Sequence, residues 1–132
     1  MKKILVTGDR NWVNADLIMG ELQYQIRILG IEAIVEGEAR GADRMARDAA
    51  NQLGLRVFPY PAQWDLYGRA AGPIRNQKML DDNPDIIMVM AFHDDLDNSK
   101  GTQDMVRRAL AKGLHVICFN SLGSSRSLCG NY

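Results

Sequence analysis

Five short apolar runs alternate with four helical patterns along this chain, and few folds accommodate that alternation. The runs are Ile4-Leu5-Val6, Ala33-Ile34-Val35, Val57-Phe58, Ile86 to Ala91, and Val116 to Phe119. The fourth is apolar throughout, as expected of a central strand covered on both faces. Between the first two runs, Ile18, Leu22, Ile26 and Leu29 recur at helical spacing and Gly30 stops the pattern. A second helix carries Ala42, Met45, Ala46, Ala49, Ala50 and Leu53, and ends at Gly54. A third is expected from Pro73 to Asp82, before Pro84, and a fourth from Thr102 to Lys112, before Gly113. Such a chain predicts an α/β domain with a five-stranded, doubly wound parallel sheet in the order 3-2-1-4-5. Helices should cover both faces.

One domain is all that 132 residues allow, with a core of ordinary size. It is expected over residues 1–120, followed by a serine- and glycine-rich flexible tail over residues 121–132. Sixteen basic and sixteen acidic side chains cancel. No broad field is left to attract a nucleic-acid backbone or an anionic membrane, so any anion site must be built locally. No apolar run approaches the roughly 20 residues that cross a bilayer, and the N-terminus reads as a first strand rather than a leader. A cytoplasmic protein is the default expectation.

Metal chemistry finds little support. His93 and His115 are far apart, with His115 expected inside strand five, and Cys118 and Cys129 lack ligand spacing. Cys118 reads as a buried thiol, although the sequence alone leaves a disulfide open. The Asp94-Asp95-Leu96-Asp97 run reads as a solvated loop. No metal or other cofactor is expected.

In an open parallel sheet, ligands bind beyond the carboxyl ends of the strands. The loops that follow the strands are also the distinctive parts of this sequence. After strand one comes Thr7-Gly8-Asp9-Arg10-Asn11-Trp12, and after strand two Gly37-Glu38-Ala39-Arg40-Gly41-Ala42-Asp43. The long segment after strand three ends in Ala71-Gly72-Pro73-Ile74-Arg75-Asn76, and strand four leads to Gly101-Thr102. Glycine lets a backbone approach a ligand, and a helix that starts immediately afterwards offers free N–H groups to a phosphate. Gly41 and Gly101-Thr102 are the foremost candidates. Arg10, Arg40 and Arg75 can form a clamp, because guanidinium groups grip phosphate bidentately. Trp12, Trp64 and Tyr67 can stack on a base or simply cover the ends of the sheet. Neither a GxGxxG after strand one nor a Walker A lysine motif is present, which counts against a dinucleotide dehydrogenase and a P-loop NTPase.

Taken together, these loops resemble the SLOG superfamily, specifically its small YspA/YpsA-related branch. The combination of Ala39-Arg40-Gly41-Ala42-Asp43 with Gly72-Pro73-Ile74-Arg75-Asn76 is the most specific part. The resemblance implies a Rossmann-like fold and a site for a nucleotide or nucleotide-derived molecule. More distantly the chain is similar to the LOG phosphoribohydrolases, which release a base from a nucleoside 5′-monophosphate, and to DprA-like proteins. Arg75, Met79 and Gly101-Thr102 match the LOG pattern. Its PGG is replaced by Asp97-Asn98-Ser99, and Met105 stands at the catalytic glutamate, with Asp104 one residue earlier. One helical residue rotates a side chain by about 100°, so Asp104 is no simple substitute.

The expected function is binding of a phosphate-bearing nucleotide by Gly8, Asp9, Arg10, Trp12, Gly37, Arg40, Gly41, Ala42, Asp43, Arg75, Asn76, Gly101 and Thr102. The alternative is an N-glycoside hydrolase, for which Arg75, Asp104, Glu36 and Glu38 are the candidate catalytic residues. A DNA-processing accessory is a third reading, disfavoured by the neutral charge and the lack of a basic stripe. LOG-like relatives pair, so the resemblance admits a homodimer, while the partner expected is a small molecule rather than a membrane or nucleic acid.

Overall fold

Alternating side chains along the strands divide the interior into two cores. The computed structural model describes residues 1–130. In strand β1 (Lys3–Gly8), Ile4 and Val6 point to one side of the sheet and Leu5 to the other. The first side receives helices α1 (Ala15–Leu29) and α2 (Ala42–Leu53) through Ile18, Leu22, Ala42, Ala46 and Ala50. On the second side Leu5 meets Met79 and Leu80 of α4 (Ala71–Asp82), with Met105, Val106 and Ala109 of α5 (Gly101–Ala111). Small alanines at these contacts let the helices lie close to the sheet.

The other strands are β2 (Ala33–Glu36), β3 (Arg56–Pro59), β4 (Ile86–Phe92), β5 (Val116–Phe119) and β6 (Ser125–Leu128). Their order is β3-β2-β1-β4-β5-β6, so the parallel core follows the expected 3-2-1-4-5 order. Strand β4 lies between β1 and β5 and, apart from Ile87, is buried along its length. The doubly wound α/β architecture is therefore as its apolar sequence requires.

Several expectations need correction. The sheet has six strands, because Ser125–Leu128 pairs antiparallel with β5 inside the segment expected to be a flexible tail. A tight turn makes this return possible: Asn120 N–H donates to Ser124 O, and Asn120 Oδ1 accepts from the N–H groups of Leu122 and Ser124. The last two residues of that expected tail, 131 and 132, lie outside the described residues. Helix α4 begins at Ala71 rather than Pro73, after a short helix α3 (Trp64–Tyr67) and a 3-10 turn over Gly68–Ala70. His115 precedes β5 instead of lying in it, and both cysteines are free, Cys118 buried and Cys129 exposed.

Trp12 is also not where a stacking residue should be. It is 4% exposed, and its ring meets Phe92 edge-on at 5.6 Å between centroids while Nε1–H donates to Asn14 O at 3.0 Å. Phe92 in turn stacks on Phe119 at 5.0 Å. This aromatic plug closes the α1 side of the sheet. Replacing Trp12 with alanine is expected to cost about 3–5 kcal/mol of stability, the range for removing a buried large aromatic. Urea denaturation checks it, and a loss below about 1 kcal/mol would contradict the structural role.

Candidate functional site

The carboxyl ends of β1, β2 and β4 open into a cavity of about 860 Å³. Its floor includes Thr7 and Gly8 at the end of β1 with Asp9 just after it, Gly37 after β2 and His93 after β4. One wall is the first two turns of α4, with Gly72, Pro73, Arg75, Asn76 and Met79, and the other is the start of α5. Of the residues expected from sequence, Gly8, Asp9, Arg10, Gly37, Asp43, Arg75, Asn76, Gly101, Thr102 and Asp104 line this space. Arg40 and Glu38 line a smaller adjoining cavity of about 320 Å³, together with Arg10, Arg75, Arg44 and Trp64. The three arginines of the expected clamp thus converge. Trp12, Glu36, Gly41 and Ala42 line neither cavity.

The glycines separate into two kinds. A methyl group on Gly8 would run into Phe92 O and the Ala42 side chain, and one on Gly41 into the backbone of Asp9 and Arg10. Gly41 also has φ 76°. Here glycine serves the approach of one loop to another, and Ala42 N–H is already committed to Asp9 O at 3.1 Å. That takes Gly41 and Ala42 out of the expected phosphate cradle. Gly101 differs, since a methyl group there would meet no atom within 4 Å. At α5 Ser99 Oγ accepts from Gln103 N–H and Lys100 O from Asp104 N–H. The N–H groups of Gly101 and Thr102 find no acceptor among the described residues.

Arg75 organises the wall between these loops. Its Nη1 donates to Gly37 O at 2.5 Å and to Tyr60 O at 3.4 Å, and Nε donates to Asn76 Oδ1 at 2.9 Å. Nη2 has no protein acceptor among the described residues. Burial lowers the Arg75 pKa from the ordinary arginine value, while Asp43 acts in the opposite direction. Asn76 carries the connection to α5, donating to Gly101 O at 3.3 Å and Asp104 Oδ2 at 3.0 Å.

The carboxylates are mostly occupied. Asp104 Oδ2 also accepts from Arg108 Nε at 2.9 Å, and Glu38 Oε2 pairs with Arg47 Nη1 at 2.9 Å. Asp43 is 6% exposed, accepts from Ala39 N–H, and is pushed up to about pKa 6 by burial against the pull of Arg75. Glu36 is fully buried and its pKa is pushed up to about 9, chiefly by burial and then by Glu38. Its Oε1 accepts from Glu38 N–H at 2.6 Å, which holds Glu38 at φ 60°. Glu36 Oε2 and Glu38 Oε1 are both buried with no hydrogen-bond partner among the described residues, and the raised pKa of Glu36 favours its protonated form. Glu36 is therefore a neutral staple under the loop. Sequence reasoning missed Arg44, Arg69, Ser99 and Lys100, which also line these cavities. Only Lys100 carried a signal, as the cation immediately before Gly101. Among the described residues, no group of His, Cys, Asp and Glu is arranged to hold a metal, and no helix is long and apolar enough to cross a membrane.

A parallel α/β sheet with a loop-lined cavity at its carboxyl edge defines the class, a Rossmann-like α/β domain. Within it, the chain belongs to the YspA, cpYpsA-related SLOG family, whose profile matches residues 2–67. Gene 61 protein of Mycobacterium phage D29 is 32% identical over 126 residues, covering 90% of this chain and 97% of that protein. The fold is similar to DNA processing protein A (DprA) from Streptococcus pneumoniae, with a TM-score of 0.69 and 19% identity. That likeness covers 90% of this chain, which spans 50% of the DprA chain. Membership of the family suggests a role in binding nucleotide-related ligands.

The staple has a pH signature. Burial raises the Glu36 pKa to about 9 in the folded protein, whereas the unfolded chain ionises it near the ordinary 4.5. Its stabilising contribution is full below 4.5 and is lost as pH rises toward 9, because the unfolded state then binds fewer protons. Glu36→Gln supplies a neutral side chain at every pH. Urea midpoints at pH 6 and pH 9 should fall for wild type and fall distinctly less for Glu36→Gln. Parallel curves would exclude the raised pKa of Glu36.

Proposed function

We propose that the protein binds a phosphate-bearing nucleotide or nucleotide derivative, with the phosphate at the start of α5. The observation that carries this reading is the pair of uncommitted N–H groups at Gly101 and Thr102, which face a cavity that Lys100 and Arg75 also line. An anion there accepts two backbone hydrogen bonds and lies at the positive end of a helix dipole. Arg75 offers Nη2 from the opposite wall. The net charge of the chain is zero, yet Arg10, Arg69, Arg75 and Lys100 gather on this cavity against Asp9, Asp43 and Asp104. Asp104 is further neutralised by Arg108. Charge has been concentrated where the ligand enters.

Gly101→Val tests the cradle, and it is a cleaner probe than Arg75→Ala, which would also release Gly37 and Tyr60. The added side chain projects into open space, so the variant should fold as wild type does by circular dichroism. It should lose at least 10-fold in affinity for AMP, while adenosine binds wild type and variant equally weakly. Full AMP binding by a folded Gly101→Val protein would refute this placement.

The same groups favour binding over hydrolysis. Departure of a base from ribose needs a carboxylate free to meet positive charge or orient water. Met105, at the family glutamate position, is buried and apolar. Asp104 is held by Asn76 and Arg108, Glu38 by Arg47, and Glu36 lies beneath the cavity as a neutral acid. Incubation with the common nucleoside 5′-monophosphates should release no free base above the uncatalysed background, as read by chromatography. Release that collapses in Asp104→Asn would reinstate the hydrolase.

A further inference from the structure

Trp64 belongs to neither the sheet nor the helical cores. It stands at the head of the four-residue helix α3, is 49% exposed, and lines both the large cavity and its smaller neighbour. Its ring end lies over α4 at a glycine: a methyl group on Gly72 would sit 3.5 Å from Trp64 Cη2. The indole N–H has no acceptor among the described residues. An aromatic of this size, half-exposed at the junction of two cavities, is poorly accounted for by packing. The smaller cavity offers a flat ring an apolar wall: besides Trp64 it is lined by Ala39, Pro61 and Ala62. Its charged side chains are Glu38 and the guanidinium groups of Arg10, Arg40, Arg44 and Arg75, and guanidinium groups stack on ring faces as well as binding anions. Arg44 is held by a bond from Nε to Glu38 O at 3.0 Å, so its position is set before any ligand arrives.

We infer that Trp64 is a specificity-determining residue that stacks on the heteroaromatic ring of the ligand, placing that ring in the smaller cavity while the phosphate occupies the start of α5. This rests on the nucleotide reading above and adds the orientation of the ligand and the means by which its base is recognised. Stacking reads a ring face, which every base has, so the site selects a nucleotide without selecting strongly among bases. Purines, with the larger face, bind ahead of pyrimidines.

AMP and ribose 5-phosphate share the sugar and phosphate but differ in the ring, which makes them the probes. Binding of AMP should quench tryptophan emission, and ribose 5-phosphate should bind without quenching. The quench belongs to Trp64, because Trp12 is buried against Phe92. Trp64→Ala should weaken AMP by about 5- to 150-fold, the span of one base–aromatic stack, and leave ribose 5-phosphate unchanged. Trp64→Phe should recover most of the AMP affinity without the quench, and keeps the test open should the alanine variant fold poorly. Equal AMP binding by wild type and Trp64→Ala would overturn the inference, as would equal losses for AMP and ribose 5-phosphate. A preference above 100-fold for one base over the other three would also overturn it. Failure of wild type to bind either probe would instead refute the nucleotide reading itself.

Discussion

The guanidinium of Arg75 ties together three loops that the sheet alone would leave independent. It takes the carbonyls of Gly37 after β2 and Tyr60 after β3, and holds Asn76, which reaches Gly101 and Asp104 at α5. Parallel strands end in separate crossovers, so nothing in the backbone ladder sets the distance between one loop and the next. A planar donor with several N–H groups can set it. Gly37 has to be glycine in this arrangement, because a methyl group there would overlap the Arg75 guanidinium. The shape of the cavity follows from that single side chain and from the small residue that admits it.

Arg75 also restrains the protonation of Asp43. Burial alone would raise Asp43 further, and the nearby guanidinium limits the rise to about 6. Asp43 is therefore largely ionised at neutral pH and accepts from Ala39 N–H, helping to close the turn that leads into α2. Glu36, farther under the loop, goes the other way and stays protonated. Neighbouring carboxyls in opposite states share the work of holding one loop. The outer cations, Arg10, Arg40 and Arg69, form no ion pair among the described residues and remain available to a ligand.

The parallel fold was legible because burial on both faces leaves a plain trace, as in Ile86 to Ala91, and because glycines mark where helices stop. Strand β6 left no such trace. Ser125-Arg126-Ser127-Leu128 is polar and mostly exposed, and it becomes a strand only because a turn at Asn120 delivers it to the free edge of β5. The site was legible in outline for a similar reason: its loops follow strands, and strands could be found. What sequence could not supply was the direction in which each residue faces. Gly8, Gly41 and Gly101 look alike on the page, yet two of them admit neighbouring backbone or side chain and the third faces open space. Trp12 and Trp64 were equal candidates for stacking until packing put the first against Phe92 and left the second at the cavity mouth.

Met105 stands where the LOG pattern that the chain resembles has a glutamate. Its position on α5 faces the cavity and is nevertheless 1% exposed, packed with the α4 and α5 core. A glutamate there would place a carboxylate against Met79 and Leu5, a location that favours the neutral acid unless a substrate cation develops beside it. Methionine removes that demand and fills the same volume with a flexible apolar chain. Asp104, one residue earlier, is turned toward Asn76 and Arg108 and braces α4 against α5. The Asp104 carboxylate therefore holds the start of α5 to α4. A cavity with uncommitted N–H groups at the start of α5, an exposed aromatic on its lining and an apolar residue at position 105 is better suited to the proposed holding of a nucleotide than to its cleavage.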